Sequence, residues 1–492
     1  MTAFFNAATG LGTTERIFTN GEEGGATGYA VAIVSTGPNK GRAYLLPKFN
    51  LATSGSGINA VGGWENLMAS PFAQDLTIVA GTNDGGSGVM NNTVNMYLGT
   101  KQNTGNEIER AGLTNGTNYF VSVVGNPVEI VSTTTRATNI TSGTRFNLVS
   151  FAAPTPSGTT FSRPEDGAWD PTSPRDFYFV TTDRLDTLTN TGVNQTIGAT
   201  GTAQQGRTRL WRLRFDDITN PTLGGVVSLL IDGSKNGQKL NMLDNMCVAA
   251  NGTVLMTEDP GNSTYLGKTW AYDVAKDTLV QLLKFDTARW GELAVNGGTP
   301  GAILPYTNDK EISGIIDVTS MFPHAADEQV LLLDVQDHSN NAAVANANTV
   351  EGGQLVLLRV ALGAQAAAFG AGCNMTLAAA PASAPVLGST FVSDLGAISS
   401  GATAFMMVGG SNTTFAGLPL PLDLGFAGLP GCFLYQDLSL EGAGAVVSTG
   451  ATTASYSLPI PTSYSFTGLK VYLQGWSTAL ETSNALTVVL GF

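Results

Sequence analysis

The sequence predicts an all-β chain: a β-propeller of about six blades followed by a small C-terminal β-sandwich. Three observations carry that expectation. Short apolar segments recur from one end of the chain to the other, each bounded by Gly, Asn, Asp or Pro, which is the punctuation of a sheet protein. Glycine is abundant, at 60 of 492 residues, while charged residues make up only 13%, a balance that favours strands and tight turns over long amphipathic helices. The length exceeds the ~250 to 300 residues at which one core stops growing, yet a propeller can divide a large core among its blades.

In chain order the predicted strands are DLTIVAGT, VNMYLGT, YFVSVVG, DFYFVTTD, RLWRLRFD, VVSLLIDG, TVLMTED, KTWAYDV, TLVQLLKFD, EQVLLLDVQD and QLVLLRVA. Two passages, RLWRLRFDDITNPTLGGVVSLLIDG and KTWAYDVAKDTLVQLLKFD, repeat one design: an aromatic strand, an Asp-containing turn, then an apolar strand. Their first strands alternate, so Trp211, Leu213 and Phe215, and likewise Trp270 and Tyr272, point to a buried face. Paired strands of this kind resemble the outer half of a propeller blade, and ~40 to 60 residues per blade sets the estimate of about six.

A composition break falls near residue 370, in the charge-free stretch VALGAQAAAFGAGCNMTLAAAPASAP with its run of Ala, Gly and Pro after Arg359. It divides the chain into an expected propeller at 1–370 and an accessory sandwich at 371–492. The second part carries only Asp394, Asp423, Asp437, Glu441, Lys470 and Glu481 as acidic or basic residues and no His. Acid-base or metal chemistry is therefore expected elsewhere, and a cell-surface or carbohydrate-facing role suits this part better.

The formal charge of -14, with no Lys/Arg-rich run, argues against nucleic acid as a partner and makes divalent cations attractive ligands. No apolar run reaches the ~18 residues of a membrane span. The beginning, MTAFFNAATG, lacks a charged and then apolar leader, as a chain whose signal peptide has been removed would; a secreted, periplasmic or cell-surface location is the expectation. Of three cysteines, Cys373 and Cys432 could pair in an oxidising compartment, a matter of distance that sequence leaves open. Cys247, among apolar neighbours in MLDNMCVAA, reads as core.

The acidic residues of the first part gather in Gly/Asn/Asp clusters beside strands: Glu65 in GGWEN, Asp84 in GTNDGGSG, Glu165 and Asp166 in SRPEDGAWD, Asp244 in MLDN, Glu258 and Asp259 in TEDPGN, Glu311 in KEISGIID and Glu351 in VEGGQ. Hard oxygen donors held by tight turns are what Ca²⁺ selects. A single such cluster is more often just a turn. A glutamate ahead of an apolar strand, as in WENLMAS, RPEDGAWD and EISGIIDV, is different, because Glu favours neither turn nor strand. If these are the innermost strands of successive blades, their carboxylates converge and need a cation between them.

The ordered segments GGWENLMASPFAQDLTIVAGTNDGGSG, LGTKQNTGNEIERAGLTNG, FSRPEDGAWDPTSPRDFYFVTTDR, GRTRLWRLRFDDITNPTLGG, MLDNMCV, MTEDPGN, GKTWAYDVAKDTL, SGIIDVT, LLLDVQDHS and VEGGQLVLL resemble the motifs of the PhoX-type alkaline phosphatases. That resemblance implies an exported bacterial propeller that hydrolyses small phosphate monoesters with calcium and iron (Fe³⁺). It makes Glu65, Glu165, Asp166, Glu258 and Glu311 metal-ligand candidates, beside Asp84, Asp244, Asp259 and Glu351 from the acidic clusters, with Arg163 and Glu165 as the catalytic pair and the Arg163 guanidinium set to bind phosphate oxygens. A salt bridge to a neighbouring blade is the other reading of Arg163. One departure stands out: the family's iron-bridging cysteine beside the first-blade glutamates is missing, since Trp64 and Asn66 flank Glu65 and no cysteine precedes Cys247. A calcium-stabilised structural or binding propeller without catalysis is the alternative function, and another metal-dependent esterase activity on the same fold stays open.

Overall fold

A computed structural model describes residues 3–23, 28–50, 63–84, 92–130, 138–183, 207–233, 240–260, 266–287, 310–324, 328–337, 352–361, 363–440, 445–461 and 466–491. The protein is all-β among these residues, its helical segments being single short turns such as Glu107–Arg110. That turn begins at a capping box in which Asn106 and Glu109 satisfy each other's backbone donors. The chain divides into two compact units, one of Met1–Asp317 with Leu332–Val356, the other of Val318–Leu331 with Leu357–Phe492.

In the first unit the repeating element is a four-stranded antiparallel meander, the blade unit of a β-propeller. The first meander runs Asn66–Ala69, Leu76–Thr82, Asn92–Thr100, Thr117–Val123; the second Pro164–Trp169, Asp176–Thr181, Arg209–Phe215, Gly225–Ile231; the third Leu243–Val248, Val254–Glu258, Lys268–Asp273, Thr278–Lys284. A three-stranded sheet of Ile17–Gly21, Ala30–Val34 and Ala43–Leu45 precedes them. The strand Thr144–Ser150 pairs with the outer strands of both the first and the second meander, joining them into one hydrogen-bonded sheet.

The meanders stack face on face, and this explains the apolar strands. Phe177 and Phe179 enter one core with Ile78, Met96, Trp211, Leu213 and Phe215. Tyr178 and Val180, on the other face of the same strand, enter a second core with Leu210, Met256, Trp270 and Tyr272. A strand buried on both faces loses the polar-out alternation of a one-sided sheet, so DFYFVT is buried at every position. The alternation read at Trp211, Leu213 and Phe215 is real, and Leu210 on the opposite face is buried too.

The second unit is a sandwich. A five-stranded sheet of Gln365–Phe369, Glu481–Val489, Lys470–Ser477, Thr403–Gly409 and Ala445–Thr449 faces a three-stranded sheet of Thr376–Ala379, Thr390–Gly396 and Ala454–Pro459. Leu377, Phe391 and Leu395 from the smaller sheet share a core with Met406, Leu473, Leu486 and Val488 from the larger. Cys373 and Cys432 are joined by a disulfide across a sequence separation of 59 residues, which closes the pairing that the sequence left open. Cys247 is free, and burial pushes its thiol up to about 12, as suits a packing residue.

Candidate metal centre

Each meander opens with a strand that has an acid at or just before its start, and a common backbone device places it. Gly63, Arg163 and Met242 all have positive φ, at 68°, 58° and 52°, and each lies two residues before an acid: Glu65, Glu165 and Asp244. In the second and third meanders the strand then bulges at the equivalent place, between Pro164 and Gly167 and between Leu243 and Met246. Two residues there face one on the partner strand, which bends the chain and re-aims a side chain. The left-handed residue is pinned by its carbonyl: Thr182 N donates to Arg163 O and Asp259 N to Met242 O, each at 3.0 Å. Arginine and methionine adopt this conformation at about 1–2 kcal/mol each, so two such residues at matching positions mark a constrained site.

The result is two groups of carboxylates that share one member. Ligand oxygens of Glu65, Glu165 and Asp244 lie within 4.8 Å of one another, and so do those of Asp244, Asp259 and Glu311. Oxygens about 2.4 Å from a common calcium are at most ~4.8 Å apart, so each group has the span of one ion's ligand set. Burial and mutual repulsion hold the carboxyls of Glu65, Glu165 and Asp244 toward the neutral form. Glu65 is pushed up to about 9 by burial, then by Asp244, Glu23 and Asp84. Glu165 is raised by burial and by Asp84, against a lowering pull from Arg163, and Asp244 by burial, Asp259 and Glu311. Glu165 Oε1 is buried without a hydrogen bond, although it lies 3.0 Å from Arg163 Nη2 in an ion pair.

Arg163 is the cation of the site. Its Nη2 donates to Asp84 Oδ2 at 2.6 Å, and its Nε reaches both oxygens of Asp84 at 3.2 Å. The two carboxylates hold it charged against the cost of burial. The interblade salt bridge read as one possibility for Arg163 is thus present. Asp84, itself buried and also bonded by Asn92 Nδ2 at 3.2 Å, serves Arg163 and stands outside the two carboxylate groups.

The remaining candidates point elsewhere. Asp166, beside Glu165 in the bulge, accepts from Gly167 N at 2.7 Å and Met246 N at 3.0 Å, so it ties the second meander to the third, and burial pushes it up to about 7. Glu258 accepts from Asn241 N and Trp270 Nε1, each at 2.8 Å, and pairs with Lys268 Nζ at 3.4 Å. Its neighbour Asp259 is the one that joins the cluster. Glu351 lies outside the described residues. Glu23, which sequence reasoning passed over in GEEGG, shares a hydrogen bond with Glu65; nothing in its local pattern distinguishes it from a turn residue.

All donors in the cluster are carboxylate oxygens, with no thiolate or imidazole among the described members. Hard oxygen donors of this kind could hold a metal ion. No protein-family model matches the chain, and no curated protein matches it by sequence. Among solved structures, Pseudomonas fluorescens PhoX in complex with vanadate, a transition state analogue, matches with a TM-score of 0.41 and 12% identity. The match covers 67% of this chain and 57% of that one. A likeness this remote assigns no activity.

Proposed function

We propose that the protein binds divalent cations, calcium foremost, between the carboxylates of Glu65, Glu165, Asp244, Asp259 and Glu311, and hydrolyses small phosphate monoesters there. The observation that carries the reading is the pair of carboxylate groups sharing Asp244 with a partly buried guanidinium 3.0 Å from one of their members. Bound divalent cations supply electrostatic stabilisation to a phosphoryl group and acidify water. The chain's own part is to position. Asp84 fixes Arg163 through Nε and Nη2, so Glu165 would be a ligand to the cation and the guanidinium would be held in place to meet phosphate oxygens. Residues Gly63, Arg163 and Met242 set the aim of the acids. Asp166 and Glu258 act as supports through their backbone and indole hydrogen bonds.

A second reading is favoured by the engagement of Arg163 with two carboxylates: a calcium-braced propeller that binds or displays without turnover. The charge-poor second unit suits contact with a cell surface or carbohydrate in either case. A disulfide in that unit is compatible with an oxidising, extracytoplasmic location, and no described helix is long and apolar enough to cross a membrane.

The test is metal analysis of undialysed protein beside hydrolysis of a chromogenic phosphate monoester with and without chelator. Bound calcium and chelator-sensitive turnover that falls by about 10²-fold or more in Glu165→Gln support the phosphatase. Bound calcium without turnover moves the assignment to the second reading, and absence of any bound divalent ion removes both.

A further inference from the structure

Away from the carboxylate centre, the second and third meanders border a cavity of about 550 Å³. None of its lining residues belongs to the cluster; it is walled by Asp170, Asp176, Tyr178, Arg212 and Arg214 on one side and by Asn251, Thr253, Asp273 and Lys276 on the other. Its origin is a change of character along one strand face. Cross-strand partners on that face are Val180 with Leu210, Tyr178 with Arg212, and Asp176 with Arg214. The first pair is sealed in the apolar core. Beyond it, two arginines stand where an apolar residue would close the gap between blades.

The charges of this cavity are satisfied with one exception. Arg214 Nε and Nη2 bind Asp176 at 2.7 and 2.5 Å. Lys276 pairs with Asp273 at 3.2 Å. Asp170 accepts from Thr172 N and Oγ1, each at 2.7 Å, and from Tyr178 Oη at 3.2 Å. Arg212, in the middle pair on this face, has only a long bond from Nη2 to Ser228 Oγ at 3.5 Å, and its Nε is buried with no acceptor. A guanidinium with a buried, unpaired Nε and no carboxylate partner is left incomplete unless an anion meets it.

We infer that this cavity is a binding site for a small oxyanion on a hydroxylated body, such as a sugar acid or sugar phosphate. Arg212 would take the carboxylate or phosphate by charge-assisted hydrogen bonds. The Asn251 amide and the hydroxyls of Ser173 and Thr253, which also line the cavity, suit the hydroxyl groups. The site is independent of the proposed hydrolysis, because no residue of one takes part in the other.

The experiment is calorimetric titration of the calcium-saturated full chain with glucuronate, inorganic phosphate and glucose, in the wild type, Asp244→Asn, Arg212→Met and Asn251→Trp. Glucuronate is expected to bind saturably in the wild type and in Asp244→Asn, and neutral glucose about tenfold more weakly or worse. Arg212→Met should weaken binding by about tenfold or more. Asn251→Trp, at an exposed rim position, keeps the arginine but obstructs the cavity and should abolish binding, which serves if Arg212→Met does not fold. Heat from phosphate alone that persists in Asp244→Asn and is lost in Arg212→Met would identify phosphate as the oxyanion. No saturable binding of either anion, or binding that survives both cavity substitutions, overturns the inference.

Discussion

Asp244 belongs to both carboxylate groups, so its substitution should separate two effects of opposite sign. In the metal-free protein it is one of several closely placed, mutually repelling acids, and Asp244→Asn removes part of that repulsion. With calcium it removes a shared ligand. Calcium at about a hundredfold its Kd stabilises a protein by roughly 2.7 kcal/mol; in Asp244→Asn this increment should fall below about 1 kcal/mol while the chelated protein melts higher than the chelated wild type. Thermal unfolding with calcium and with chelator checks both directions. Arg163→Met should act oppositely: it leaves Asp84 and Glu165 buried without their cation, at a cost of about 3–5 kcal/mol, measurable by denaturant titration of the chelated protein. A third residue sets a pH effect. Lys101 is buried and donates to Gln74 O at 2.8 Å and Leu76 O at 2.9 Å. Burial, partly opposed by Asp75, brings it down from 10.5 to about 8. Between those values the unfolded chain holds a proton that the folded chain has released, so this group's contribution to stability rises with pH across the window. Lys101→Met should flatten that rise in melting temperatures taken from pH 8 to 10.5.

Elements explain which of these residues could be read from the sequence. Glu65, Glu165 and Glu311 were legible because glutamate ahead of an apolar strand has no backbone reason to be there. Asp244 was legible only as one acid in MLDN among many turn-like clusters. Glu258 and Asp259 are adjacent in TEDPGN, yet one binds Lys268 and the other joins the cluster; the choice follows from register, which a sequence of unpaired strands does not state. Arg163 and Met242 hid the backbone device altogether, since only Gly63 among the three left-handed residues is of a type that advertises positive φ. Glu23 reaches Glu65 from 42 residues earlier in the chain, a contact made by tertiary structure alone. The strands themselves were readable because a strand buried on both faces, such as DFYFVT, is apolar throughout.

For the whole molecule, the two units rest on different supports, carboxylates in the first and a covalent crosslink in the second. A disulfide closing a loop of this length removes about 4 kcal/mol of freedom from the unfolded chain. Calorimetry should therefore resolve two transitions: chelator lowers the one belonging to the first unit, and Cys373→Ala with Cys432→Ala lowers the other. A single transition that responds to both treatments would contradict this division.

The strand Thr144–Ser150 has a further consequence. An outer blade strand normally exposes a row of unpaired amides and carbonyls that another chain can extend. Here one strand occupies that row on two meanders at once, while Thr278–Lys284 ends its own sheet among the described residues. Among the three meanders, edge-to-edge pairing of a partly opened chain would accordingly favour the third, with the outer strands of the first two shielded by a strand that belongs to both.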